Sequence, residues 1–120
     1  MNRSWKHWVA AACLVAASLP AMAQKKDSLV VDGNDWISAS AVERRAFLVG
    51  AGNVMIAEGA YAKRRNVAAA PVSAQITRAV DKLTLGEIEA RITRWYEANP
   101  GRMSTPVMGV VWGEFVKARQ

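Results

Sequence analysis

The only cysteine of the chain, Cys13, and its only histidine, His7, both lie within the first 23 residues. Everything from Gln24 onward must therefore fold without a disulfide, the usual staple of small exported domains. A zinc site built from Cys and His is equally excluded there. The same absence removes Cys–His and Ser–His–Asp nucleophile systems and the side chain best suited to proton transfer near neutral pH. Carboxylates, Ser, Tyr and Lys remain. No catalytic, metal or cofactor-binding residue is assigned, no cofactor is expected, and an enzyme is disfavoured.

The first 23 residues read as a cleavable secretory signal. Met1–His7 carries Arg3 and Lys6, and Trp8 to Leu19 is an unbroken run of twelve uncharged, mostly apolar residues. Pro20 then ends any helix, and Ala21-Met22-Ala23 offers the small–x–small pattern that signal peptidase requires. A membrane span needs about 20 apolar residues, so the run is too short to stay as an anchor. Cleavage between Ala23 and Gln24 is expected to leave a periplasmic or secreted protein with no transmembrane anchor. Removing 23 of 120 residues leaves 97, one domain's worth. Of 16 basic residues two leave with the signal while all ten acidic ones stay, so the remaining charge is 14 minus 10, or +4. That suits weak attraction to acidic partners or an anionic membrane face. It falls short of the dense basic clustering of a nucleic-acid binder, so no nucleic-acid partner is expected.

Residues 24–35 are expected to form a flexible leader, with Leu29-Val30-Val31 extended and Asp32-Gly33-Asn34-Asp35 a turn. A single helical domain over 36–120 follows, anchored first by Trp36. Ser40-Ala41-Val42-Glu43 is a capping box, and the helix it opens runs to about Arg64. Its apolar residues occupy three faces: Val42, Ala46, Val49, Ile56 and Ala60 on one, Phe47, Ala51, Val54 and Tyr61 on another, Leu48, Met55 and Ala62 on a third. A helix apolar nearly all round is usually central and buried. Gly50, Gly52 and Gly59 weaken it by up to about 1 kcal/mol each, and close approach of neighbouring helices would compensate. Two helices broken at these glycines is the competing reading.

Ser73 to Val80 is either a short helix or an irregular arm. Thr84-Leu85-Gly86-Glu87 is a second capping box, followed by a stripe of Leu85, Ile88, Ile92 and Trp95. Glu87 and Arg91 are spaced for an i,i+4 pair. Asn99-Pro100-Gly101 stops this helix. The last one starts with Thr105 as N-cap and Pro106 at its first position, with Met108, Val111, Trp112 and Phe115 on one face. A short strand through Val110–Trp112 is the alternative. The fold class is thus all-α, a small bundle of three to four helices preceded by a cleavable signal peptide. Trp36, Trp95 and Trp112 are expected to carry much of the core.

Few side chains suggest chemistry. Glu58 is the one acid on the apolar stretch of the first long helix, so a raised-pKa acid or base is conceivable there. The structural reading is a buried ion pair with Arg91 or Arg94. Asn53 is read the same way, as a buried polar residue bonding backbone. Lys63-Arg64-Arg65 closes the helix where cations suit its dipole, and is also the candidate docking patch for an acidic partner. Glu87 and Glu89 belong to a helix start with outward charge. No phosphate-cradling glycine motif is present.

In their order, Trp36, Ser40, Phe47-Leu48-Val49-Gly50, Tyr96-x-x-Asn99-Pro100 and Pro106-Val107 resemble the small periplasmic helical immunity proteins of type VI secretion, the Tai class. The resemblance spans about Trp36 to Phe115. It implies a small helical domain, often dimeric, that blocks a toxic peptidoglycan amidase by inserting into its active-site groove. It also implies cysteines suited to a disulfide, where residues 24–120 have none. The expected function is therefore a periplasmic protein-binding module, an immunity or inhibitor protein that neutralises a secreted cell-wall-degrading toxin, with a homodimer left open. A periplasmic enzyme or small-ligand binder using Glu58, and a structural envelope protein, are the alternatives. Protein recovered from the periplasm should have the intact mass of a chain starting at Gln24. Recovery of all 120 residues in the membrane fraction would refute the cleavage.

Overall fold

The computed structural model describes residues 28–120, so the expected signal, its cleavage site at Ala23 and Gln24, and the start of the leader lie outside the described residues. Five α-helices follow: α1 (Gly33–Ser38), α2 (Ala41–Arg65), α3 (Pro71–Val80), α4 (Leu85–Ala98) and α5 (Val107–Val111). Among the described residues there is no strand, only an isolated bridge between Asp32 and Pro106. The all-α class holds, with α1 as an extra element and Ser73–Val80 helical within α3. No helix among the described residues is long and apolar enough to cross a membrane.

Helix α1 forms where a turn was expected. Asp32 is its N-cap, its side chain accepting from the backbone of Asn34 at 2.9 Å and Asp35 at 3.3 Å, while the Asp35 carboxylate accepts from the Asp32 N–H at 3.1 Å. An Asp at the third helical position thus does the work of the usual Glu in a capping box. The ordered domain reaches back to Val31. Its carbonyl accepts from the Val107 N–H at 2.9 Å, and Gly33 donates to the Met103 carbonyl at 2.8 Å. These bonds join the segment entering α1 to the loop before α5.

Helix α4 lies at the centre, touching α1, α2 and α5. Its buried residues are Ile88, Glu89, Ile92 and Tyr96, not the expected stripe ending at Trp95. The buried ladder steps by four, from Ile88 through Ile92 to Tyr96, and this turns Leu85 and Trp95 toward the edges. Leu85 is 41% exposed. Trp95 is half-buried, edge-on to Tyr96 at 5.2 Å and covered by the Arg102 guanidinium at 5.0 Å. Tyr96 takes the core place because its hydroxyl can donate to the Thr105 carbonyl at 2.7 Å. Burial pushes its phenol up to about 12, with the nearby Asp32 carboxylate adding to the shift. Of the three expected core tryptophans only Trp36 is fully buried, and Trp112 is half-buried.

The end of the chain departs from α-helical period. Pro106 is the N-cap of α5 rather than its first residue. A π-helical turn, Trp112–Val116, follows α5, and a 3-10 turn, Lys117–Arg119, closes it. Buried Val110 and Val111 are followed five residues later by buried Phe115 and Val116. A continuous α-helix would put residue 114 beneath 110. The extra residue of the π turn keeps Glu114 half-exposed and brings Phe115 into the core.

Helix α2 is one uninterrupted helix of 25 residues, capped by Ser40 and Glu43 and ended by Asn66 in the left-handed conformation at φ 53°. The expectation that it is central and buried is overturned. Only Leu48 and Ala62 are buried, and a Cβ at Gly50, Gly52 or Gly59 would meet nothing within 4 Å. Helix α2 packs along one side of the bundle, with Phe47 edge-on to Trp36 at 6.3 Å, so Val42, Val49, Val54, Ile56 and Tyr61 remain at the surface. Gly33 is the opposite case. A Cβ there would lie 2.5 Å from the Tyr96 ring and 2.8 Å from the Met103 carbonyl. Gly33→Ala should destabilise the domain by about 1–3 kcal/mol, whereas Gly50→Ala should stabilise it by up to about 1 kcal/mol. Denaturant unfolding of the two variants checks both signs.

Candidate binding groove

The face of α2 turned toward α3 leaves a gap. Leu48, Ala51, Gly52 and Met55 line it from α2, Ile76 and Val80 from α3, Leu85 and Ile88 from α4, and Met108 and Val111 from α5. The cavity holds about 170 Å³. It continues along α2 past Gly59 into a second hollow of about 300 Å³ against Ala69, Ser73 and Ala74, bordered by Arg78. The two stretches share Met55, Ile56 and Thr77.

The first stretch contains one polar side chain, Thr77, whose hydroxyl donates to the Ser73 carbonyl at 2.8 Å. Nothing in it is placed to hold a proton or an ion. Met55 and Met108 add flexible thioethers that can re-pack around different apolar groups. Such a surface can bury alkyl or aryl side chains. It cannot carry out acid–base chemistry by itself.

The residues singled out in the sequence lie elsewhere. The carboxylate of Glu58 accepts from the Ala70 N–H at 2.7 Å, at the N-cap of α3, which lacks a side-chain cap. The expected ion pair with Arg91 or Arg94 is not made. Arg91 reaches Glu114 instead, at 3.4 Å to the carboxylate and 2.7 Å to the carbonyl, and lies over the Phe115 ring at 4.8 Å. Glu58 projects over the α2–α3 linker rather than into the bundle, so it serves the linker and no arginine approaches it. Asn53, expected to be buried, is exposed because its face of α2 has no neighbour. Lys63, Arg64 and Arg65 are all exposed in the last turn of α2. Successive helical residues point about 100° apart, so the three cations spread around the helix instead of forming one patch. Arg65 lies over the Tyr61 ring at 5.6 Å.

The i,i+4 pair of Glu87 with Arg91 is also absent. Glu87 accepts from the backbone and hydroxyl of Thr84 at 2.7 and 2.8 Å. The backbone bond, then the hydroxyl, hold its carboxyl below the usual range. Glu89 is the acid that sequence reasoning placed wrongly: it is buried, not outward. Arg45 donates to it at 2.9 Å and Arg44 lies 3.7 Å away. Arg44 also donates to the Trp36 and Ile37 carbonyls at 2.8 and 3.2 Å. The Trp36 indole donates to Thr93, which donates to the Glu89 carbonyl. A usable signal existed. Two arginines in the first turns of a helix oppose its dipole, which calls for a carboxylate from another element.

Among the described residues no group of three or more His, Cys, Asp or Glu gathers as a metal site. No protein-family model matches the chain, and neither does any curated protein or solved structure.

The two acids should respond differently to loss of charge. Glu58→Gln keeps an acceptor for one exposed N–H and should change stability by about 1 kcal/mol or less. Glu89→Gln leaves two arginines facing a neutral group and should lower it by about 2–3 kcal/mol. Equal midpoints in urea unfolding would refute this ordering.

Proposed function

We propose that this protein is an envelope protein-binding module, an immunity or inhibitor protein that neutralises a secreted cell-wall-degrading toxin in the periplasm. The observation carrying this reading is the open apolar groove between α2 and α3, bordered by Arg78. Apolar surface left in water on a small monomer marks a place where another molecule sits. The resemblance in Trp36, Phe47-Leu48-Val49-Gly50, Tyr96, Asn99-Pro100 and Pro106-Val107 points the same way. The signal expected in residues 1–23 favours that compartment.

The groove favours a side chain over a free metabolite. Drug-sized ligands sit in clefts that bury most of their surface, whereas here a stretch of about 170 Å³ runs on into the hollow of about 300 Å³ as a half-open trough. That room fits one or two apolar side chains of a docked protein, with Met55 and Met108 adapting to their shape. The small-ligand alternative loses Glu58, whose carboxylate accepts from the linker at Ala70.

Affinity capture from a periplasmic extract tests the reading. The protein should retain a stoichiometric protein partner, and Thr77→Arg, which puts a charged chain across the groove from an exposed position, should lose it. Recovery of a small molecule in place of a protein, or a partner retained equally by Thr77→Arg, would overturn it.

A further inference from the structure

The walls of the α2–α3 groove restrict what form of chain can lie in it. From α2 its lining is Leu48, Ala51, Gly52, Met55, Ile56 and Gly59, one face of a helix at i, i+3, i+4, i+7, i+8 and i+11. From α3 come Ser73, Ile76, Thr77 and Val80, at i, i+3, i+4 and i+7. Val80 shares the first stretch with Leu48, and Ser73 shares the second with Gly59. The two helices therefore run antiparallel along one trough. From Leu48 to Gly59 it is about 16 Å long, about three turns of helix.

The backbone N–H and C=O groups of both walls are used within α2 and α3. An extended segment would find no main-chain partner along the trough, and its own polar groups would lie unpaired against apolar side chains. A helix keeps its main-chain bonds inside itself and needs only apolar contact and room. Gly52 and Gly59 supply the room. They stand two turns apart on one stripe, and no atom of the fold lies within 4 Å of where their Cβ atoms would be. Bare backbone at these two points lets a neighbouring helix come close. From the first hollow to the second, the lining from α2 shifts by about four residues, or about 6 Å. Side chains one turn apart on a helix have that spacing.

Charge adds a second requirement. Arg78 borders the second hollow on one side and, on the other, a cleft that also holds Gln75 and Arg119. Among the described residues no acid lines either space. The Arg78 Nε donates to the Ala74 carbonyl at 3.2 Å, and among the described residues neither arginine makes an ion pair. Glu58, over the neighbouring linker, is already taken up by the Ala70 N–H. An acyl chain with an anionic head has related chemistry, but it needs a cleft that closes around it, and this trough is half-open.

We propose that the groove takes an amphipathic helix of the partner protein, with apolar side chains one turn apart in the two hollows and a carboxylate on Arg78. This rests on the reading of the groove as a protein-docking site, and it adds the form and charge of what docks.

Arg78→Lys keeps the charge and gives carbodiimide an amine to join to a touching carboxylate. The tagged full chain with this change, treated with carbodiimide in periplasmic extract, should form an amide between position 78 and an Asp or Glu of the captured protein. Mass spectrometry of the joined peptide should show apolar residues four apart beside that acid. Made as a free peptide, the segment should gain helical circular dichroism on binding the unmodified protein. Arg78→Glu should weaken that binding at least about tenfold, and exchanging the peptide's acid for lysine should restore it. Gly52→Leu should weaken it at least about tenfold while the melting temperature stays level or rises, since a side chain there enters the trough and not the fold. A partner joined only through other lysines, a joined segment without that spacing, or a peptide that binds without gaining helix would overturn the helix and leave protein docking standing. Binding indifferent to Arg78→Glu or to Gly52→Leu would do the same. A lipid or other small molecule held in the groove, with no protein captured, would overturn both readings.

Discussion

A carboxylate taken out of water must be met by cations and donors, and Glu89 of α4 is met by Arg44 and Arg45 from one turn of α2. Arg44 then reaches the carbonyls that end α1, and its guanidinium lies 5.9 Å from the Trp36 ring. Trp36 is held from its other side by Thr93, whose hydroxyl returns to Glu89. Three helices are thereby locked at one point. Packing alone could let α2 rotate about its axis, since it is apolar almost all round. The arginines decide which face turns inward, and with it which faces remain for other molecules.

From that rotation the rest of the surface follows. Leu48 and Ala62 go to the core, Ala51, Met55 and Ile56 line the groove against α3, and Val42, Val49 and Val54 face out. A single helix thus serves the domain with one side and offers two others. The glycines on it are a cost to helix stability that the isolated fold does not repay. The domain is held together mainly by α4, α5 and the π turn, with Tyr96, Ile92, Val107 and Phe115 almost wholly removed from solvent.

Helix ends were plain in the sequence, because capping is local. Ser40 with Glu43 and Thr84 with Glu87 begin α2 and α4 as their spacing implied. Asp32 with Asp35 uses the same chemistry, but an aspartate pair around glycine and asparagine also spells a turn, and only the bonds to Met103 and Val107 make the helix worthwhile. Burial was less legible. The three faces of α2 are equivalent to any periodicity argument, and the choice between them rests on an arginine–glutamate contact 44 residues apart. The groove was invisible for the same reason, since it is a property of how α2 and α3 are set, not of any motif. Trp95 misled through its size. It sits one residue before the aromatic whose hydroxyl has a carbonyl to meet.

The π turn at Trp112–Val116 also determines what kinds of change the chain can absorb. Its extra residue resets the phase between Val110-Val111 and Phe115-Val116, so both pairs face the core. A substitution there alters one contact. A one-residue deletion between Val111 and Phe115 would leave Phe115 four residues after Val110, and a plain α-helix would then seat it in the core without the π turn. The segment is therefore open to losing a residue and closed to gaining one, since an insertion would set Phe115 six residues after Val110 and turn it away from the core. Natural variation there should include single deletions that straighten the turn into an α-helix, while insertions fall in the α2–α3 linker, where Glu58 and Ala70 share a single hydrogen bond.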